Sequence, residues 1–252
     1  MSSRKPPSQG RPGTRGRQSA QEAARRAAEQ AALGRRERLR IIVVLAVLVV
    51  LVVGGGIGFQ AWRTVRAPSA VAPGTSAEAP QTLVDGRPIV FGDAVAPVEL
   101  KVYADFRCPH CADVEEEFGP TLTAAQDAGR LRVAVYPMSF IDEGSDRAAN
   151  AMACASEAGF GHRYYRGLFA NSTLVWSETQ LLKLAELSTD SVPGTFRSCV
   201  VGGERTAWAD AIDATAEVDG VKGTPTLFLD GAPLPLAGLT PESLQTMIDA
   251  KA

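Results

Sequence analysis

At 252 residues the chain is long enough for one or two domains, and its 45% hydrophobic and 21% charged residues exclude a wholly disordered protein. Its net charge of −2 conceals a basic head, +8 over residues 1–40, on an acidic remainder, −10 over residues 41–252. That asymmetry implies contact with nucleic acid or with a membrane at the head, and the segment after the head selects the membrane.

Residues 1–20 are rich in Ser, Gly, Pro and Arg and are expected to lack a packed structure. Residues 21–40 have helix-forming composition. Between Arg40 and Arg63 lie 22 residues without a charge, "IIVVLAVLVVLVVGGGIGFQAW". As a helix they would span roughly 33 Å, close to the ~30 Å of a hydrocarbon core. Trp62 occupies an interfacial position. A buried helix of a soluble domain would need a polar face, which this run lacks. A cleaved signal peptide would have a shorter apolar stretch of ~7–15 residues, and the small-residue stretch "AVAP" at 70–73 puts proline just past the cut. The segment 41–62 therefore reads as an uncleaved transmembrane helix, with the Lys/Arg-rich tail 1–40 in the cytoplasm and the rest outside. Residues 63–81, rich in Ala, Pro and Ser, read as a linker.

A globular domain is expected over 82–252. "VELKVYADF" alternates as a strand, with Val98, Leu100 and Val102 on one face. "CPHC" follows, and then a helical stretch with a break or kink expected at Gly119-Pro120. Residues 131–140 read as a second strand. From about 142 to 218 the pattern is helical, with Ser145-Asp146 as a cap, Gly159 as a stop, Ser177-Glu178 as a new start with Leu181, Leu184 and Leu187 on its buried face, and a break at Gly202-Gly203. "TPTLFLDGAPLPL" returns to strand, with Asp230-Gly231 as a hairpin turn. Thr240-Pro241 starts a last helix. The order describes a small α/β sheet interrupted by a helical insertion.

All four cysteines, Cys108, Cys111, Cys154 and Cys199, lie beyond the apolar span, and an even count in an exported domain favours disulfide chemistry. A zinc site would want a second cysteine pair, which the sequence lacks. A purely structural Cys108–Cys111 bridge closes too short a loop to stabilise much. The redox reading fits the local physics. Cys108 ends a strand-to-helix turn, where free helix N–H groups and partial positive charge favour a thiolate and depress a cysteine pKa. Pro109 suits the first helical position. His110 either adds a donor or a positive charge beside that sulfur or is an ordinary surface residue. Far along the chain, Thr224-Pro225 opens a strand, where proline sits either as an edge residue or as a cis-proline facing the thiols.

Taken as a set, strand–Cys-Pro-His-Cys–helix, the helical insertion, Thr224-Pro225 and the Asp-Gly hairpin resemble the DsbA family of thiol–disulfide oxidoreductases, in particular the membrane-anchored type of Gram-positive and actinobacterial envelopes. The resemblance implies a thioredoxin fold with an inserted α-helical domain, preceded by the transmembrane helix. It implies Cys108 as an exposed nucleophile, Cys111 as a buried resolving thiol, and Thr224 and Pro225 flanking a groove for substrate peptide. It also implies exported proteins with free cysteines as substrates, a quinone-linked membrane reoxidase of the DsbB or vitamin K epoxide reductase type as partner, and no cofactor. Relatives carry a buried acid six residues before the first cysteine; this sequence has Val102 there, with Glu99 or a water as substitutes. Cys154 and Cys199 fall in the insertion and are expected to form a structural disulfide, with free thiols or a second redox pair as alternatives. A reductase or isomerase on the same fold, and an anchored client-binding module, are the rival functions.

Overall fold

The computed structural model describes residues 42–56, 58–59, 61, 66–69 and 78–252. The tail 1–40, Trp62 and part of the linker lie outside the described residues. Residues 42–56 form a helix with no charged side chain, whose large aliphatic groups are exposed. Among the described residues no helix is long and apolar enough to cross a membrane.

The sheet has five strands: β1 (Ile89–Phe91), β2 (Val98–Ala104), β3 (Leu131–Pro137), β4 (Thr226–Leu229) and β5 (Ala232–Pro233), in the order β1-β3-β2-β4-β5. β2 and β3 pair in parallel, joined by helix α1 (Pro109–Asp127), while β1, β4 and β5 add antiparallel. A parallel pair needs such a crossover, because its strand ends lie at opposite edges. Val98, Leu100 and Val102 are all buried, as their alternation requires. The hairpin turn falls on Asp230 and Gly231, both with positive φ, the backbone that a two-residue turn demands. Between β3 and β4 runs a block of helices: α2 (Glu143–Glu157), α3 (Gly161–Ala170), α4 (Glu178–Ser188), α5 (Gly194–Gly202) and α6 (Thr206–Val218). Helix α7 (Pro241–Asp249) closes the chain and packs on α1. This is the thioredoxin fold with an inserted helical domain.

Several local expectations change. Helix α1 runs through Pro120 without interruption. Pro120 and Glu116 are exposed, so water can satisfy the carbonyl that the proline leaves without its helical partner. Helix α2 is capped by Asp142, whose carboxylate accepts from the Gly144 N–H at 2.8 Å, and not by Ser145-Asp146. The second strand ends at Pro137, and β1 emerges as an edge strand upstream of it. Leu187 is only half-buried, whereas Leu181 and Leu184 are fully enclosed.

The described linker residues are not free of the domain. Ser69 donates through its backbone N–H and its hydroxyl to the Asn171 side-chain oxygen, and Gln81 N–H donates to the Ser156 carbonyl. Both acceptors lie in the helical insertion, which therefore holds the chain on its way into the sheet.

Cys154 on α2 and Cys199 on α5 are bonded, with Cα atoms 6.0 Å apart and a sequence separation of 45. Closing that loop stabilises the fold by about 2–4 kcal/mol.

Candidate active site

β2 delivers the chain to Asp105, and a tight turn leads into α1. Cys108 occupies the N-cap position with extended backbone, and Pro109 takes the first helical position, where a missing N–H costs nothing. The Cys108 N–H donates to the Asp105 carbonyl at 3.0 Å, and the Cys111 and Ala112 N–H groups donate to the Cys108 carbonyl. Both thiols are free.

The Thr224–Pro225 peptide bond is cis, and the Cys108 Sγ–H donates to the Thr224 carbonyl at 3.5 Å. Two segments more than a hundred residues apart thus meet at one sulfur. Cys108 is not the open nucleophile that the resemblance implied: it is 7% exposed, against 2% for Cys111. The Thr224 segment lies against it, and little of the residue faces solvent. Burial pushes the Cys111 thiol well above its ordinary range, against the opposing effect of the Asp105 N–H and the Thr224 side chain.

Of the two readings of His110, the structure favours the surface one. Its ring is 83% exposed and its Nδ1 lies 3.5 Å from the Asp113 carboxylate, one helical turn along α1, and no hydrogen bond joins it to Cys108. Val102 is buried in β2, between Val135 and Leu227. Glu99 cannot replace the acid missing there. It pairs with Arg132 at 3.0 Å near the start of β2, and five residues of strand, roughly 16 Å, separate it from Ala104.

Four residues that sequence reasoning did not single out surround the motif. The Asp105 carboxylate is fully buried and accepts from four groups: Arg107 N–H at 2.7 Å, Phe140 N–H at 2.9 Å, Ile141 N–H at 3.3 Å and the Ser145 hydroxyl at 2.8 Å. Burial still outweighs these donors and raises its pKa. Arg107 reaches the insertion, with Nη2 2.7 Å from Asp142 and a further bond to the Leu174 carbonyl. Trp176 Nε1–H donates to the Phe106 carbonyl at 3.4 Å. The loop that carries Cys108 is thus tied to the insertion at three consecutive residues.

Glu115 is the fourth. It lies four residues after Cys111 on α1, its side chain only 16% exposed, with an oxygen 4.0 Å from Arg166 Nε. Burial pushes its carboxyl up to about 7, offset in part by Arg166 and by the Tyr165 hydroxyl. A groove of about 580 Å³ runs beside the motif, lined by Pro109, Ala112, Asp113, Glu115, Arg166 and Phe169 among others.

The family model "Thioredoxin" matches residues 85–250. No curated protein matches the sequence significantly. Among solved structures, oxidised BdbD from Bacillus subtilis is similar with a TM-score of 0.59 at 19% identity, covering 70% of this chain and 98% of that one. Reduced DsbA from Mycobacterium tuberculosis gives 0.56 at 22%, covering 66% and 92%. MdbA, a thiol–disulfide oxidoreductase from Corynebacterium diphtheriae, gives 0.57 at 20%, covering 72% and 96%. Cysteine chemistry at the N-terminus of α1, the cis bond opposite it, the DsbA-type arrangement of sheet and insertion, and the match over residues 85–250 agree: this chain belongs to the thioredoxin family.

Proposed function

We propose that the protein is a membrane-anchored thiol–disulfide oxidoreductase that introduces disulfides into exported proteins through the Cys108–Cys111 pair. The observation that carries the reading is the meeting of two free thiols with the Thr224 carbonyl and cis-Pro225 at the start of α1. In the oxidised enzyme a substrate thiolate attacks Cys108 Sγ, the Cys108–Cys111 bond breaks, and its electron pair leaves on Cys111. A second substrate thiolate then attacks the substrate sulfur of the mixed disulfide and expels Cys108, leaving an oxidised substrate and the dithiol. Cys108 suits the leaving role, since the partial positive charge of the α1 N-terminus favours an anionic sulfur. Cys111, buried and disfavoured as a thiolate, suits the internal one. Thr224 and Pro225 flank the position where substrate backbone would lie.

Reoxidation of the dithiol falls to a quinone-linked membrane enzyme of the DsbB or vitamin K epoxide reductase type. Residues 41–62 anchor the chain, with the tail 1–40 cytoplasmic and Cys108 outside. The charge step across the span, and the exposed aliphatic surface of the helix over 42–56, support that placement.

The test is trapping combined with a redox titration. Cys111→Ala should accumulate mixed disulfides at Cys108, and Cys108→Ser should form none. Equal trapping by both would overturn the assigned roles. In a glutathione titration the wild-type pair should be markedly more oxidising than the roughly −270 mV of thioredoxin. A potential at or below that value would replace the oxidase with a reductase. Undiminished client binding by a chain lacking both motif cysteines, with no exchange by the wild type, would replace it with a binding module.

A further inference from the structure

The helical insertion grips the chain between the apolar segment and the sheet at two separate places. The first grip is on residues 66–69. Gln180, buried on α4, donates through Nε2 to the Arg66 carbonyl at 2.8 Å. The Ser69 N–H and hydroxyl both donate to the Asn171 side-chain oxygen, at 2.7 and 2.8 Å, and Pro68 beside them is buried. Asn171 is the C-cap residue of α3 and is itself tied to that helix, donating to the Gly167 carbonyl at 2.9 Å.

The second grip is on residues 78–81. Helix α3 begins without a side-chain cap of its own, and Glu78 supplies one from outside: its Oε2 accepts from the His162 N–H at 2.7 Å. A carboxylate suits that end, where helix N–H groups lack partners and the helix dipole is positive. Gly159 leaves room for the approach, since a Cβ there would stand 3.0 Å from the Glu78 carbonyl oxygen. Gln81 then donates to the Ser156 carbonyl, and its side chain exchanges two bonds with the backbone of Val90 on β1.

The two grips sit at opposite ends of one helix. Helix α3 has ten residues, so its ends lie about 15 Å apart. The nine residue steps from Ser69 to Glu78 reach up to ~30 Å, ample to connect them. A free spacer rich in Ala, Pro and Ser would make none of these bonds.

We propose that residues 66–81 are a strap that clips to both ends of α3 and shortens the tether between the membrane anchor and the catalytic domain. The inference rests on the anchoring in the reading above. With the strap clipped, three residues, 63–65, separate the span from the first held residue, a reach of at most ~14 Å. With the strap released, all nineteen residues 63–81 would serve as tether, and the reach would extend to ~70 Å. The first clip also borders the active site: Ala170, Ser172 and Thr173, on either side of Asn171, line the groove beside Pro109 and Ala112. The clipped strap therefore keeps the groove side of the site on the short tether, within reach of a partner embedded in the same membrane.

The experiment takes two readings on the oxidised full chain. In detergent, hydrogen exchange should find the amides at positions 69 and 162 protected. A strap variant that combines Pro68→Gly, Ser69→Ala and Glu78→Ala should speed both by about tenfold or more. In phosphatidylglycerol vesicles, a dye on Lys183→Cys, one turn beyond Gln180 on α4, should transfer energy efficiently to acceptor-labelled headgroups. The strap variant should lose most of that transfer. Oxidation pairs Cys108 with Cys111, and Cys154 is bonded to Cys199, which leaves position 183 for the dye. A wild-type amide at position 69 that exchanges like an unstructured chain, or equal transfer from wild type and variant, would overturn the strap. The wild-type exchange pattern keeps the test decisive if the variant does not fold. A chain that washes off the vesicles while both amides stay protected would instead overturn the anchoring.

Discussion

Glu115→Gln gives a measurement of stability that is independent of turnover. A carboxyl raised from its ordinary 4.5 to about 7 by burial is favoured in its protonated form by the fold. Its contribution to stability is therefore full below pH 4.5 and is lost as pH rises towards 7, because the unfolded chain ionises first. The rise from 4.5 to about 7, at ~1.4 kcal/mol per pH unit, makes the whole effect about 3.5 kcal/mol, of which about 2.5 kcal/mol falls between about pH 5 and about pH 8. Glutamine does not titrate. The stability of the variant minus that of wild type should therefore increase by about 2.5 kcal/mol over that interval. Urea unfolding at a series of pH values reads it directly: at an m-value of ~1–3 kcal/mol/M the gap between midpoints should change by about 0.8–2.5 M. Parallel stability curves for the two proteins would refute the buried, proton-holding state of Glu115.

Other perturbations test other parts. Replacing Cys154 and Cys199 together by alanine should lower stability by about 2–4 kcal/mol through the reopened 45-residue loop, with Cys108 still reactive towards substrate; a chain of unchanged stability would show the bridge to be dispensable. Asp105→Ala leaves four donors without their acceptor and should cost about 3–5 kcal/mol, while Ser145→Ala removes one donor and should cost about 1 kcal/mol, both by denaturant titration; equal effects would contradict the central place of the carboxylate. A membrane-impermeant thiol reagent should label Cys108 on intact cells after mild reduction, and labelling only after lysis would reverse the proposed topology.

What the sequence disclosed was chemistry carried by neighbours along the chain. Cys-Pro-His-Cys needs only a strand before it and a helix after it. Asp230-Gly231 sets its own turn through two positive φ angles, and the charge-free run after Arg40 is visible by inspection. Thr224-Pro225 was legible as a proline that a strand does not readily accept. What stayed hidden depends on rotation and on distant partners. Glu115-Glu116-Glu117 looks like a solvated acidic face, yet each helical step turns ~100°, so Glu115 rotates inward beneath Cys111 while Glu116 and Glu117 remain exposed. Ser145 resembles a helix cap, and its true partner is a carboxylate 40 residues earlier. Adjacency in sequence leaves His110 either beside the sulfur or on the surface, and the helix turns it towards Asp113. β1 is three residues long and gains its identity only from pairing with β3.

The helical insertion has a further consequence for the site. Cys108 is supported from two directions that are independent in sequence. The sheet side contributes the Thr224 carbonyl through β4, which pairs directly with β2. The insertion side contributes Ser145, Asp142 and Trp176, which hold Asp105, Arg107 and Phe106 respectively. A thioredoxin sheet alone could provide the first support and not the second. The insertion therefore acts on the reacting sulfur through its own loop, while α3 brings Tyr165 and Arg166 to Glu115 on the opposite side of α1. The position of the nucleophile and the burial of Glu115 are both set by the same inserted helices, so loosening that domain should disturb the reactivity of Cys108 and the titration of Glu115 together, even where no cysteine is touched.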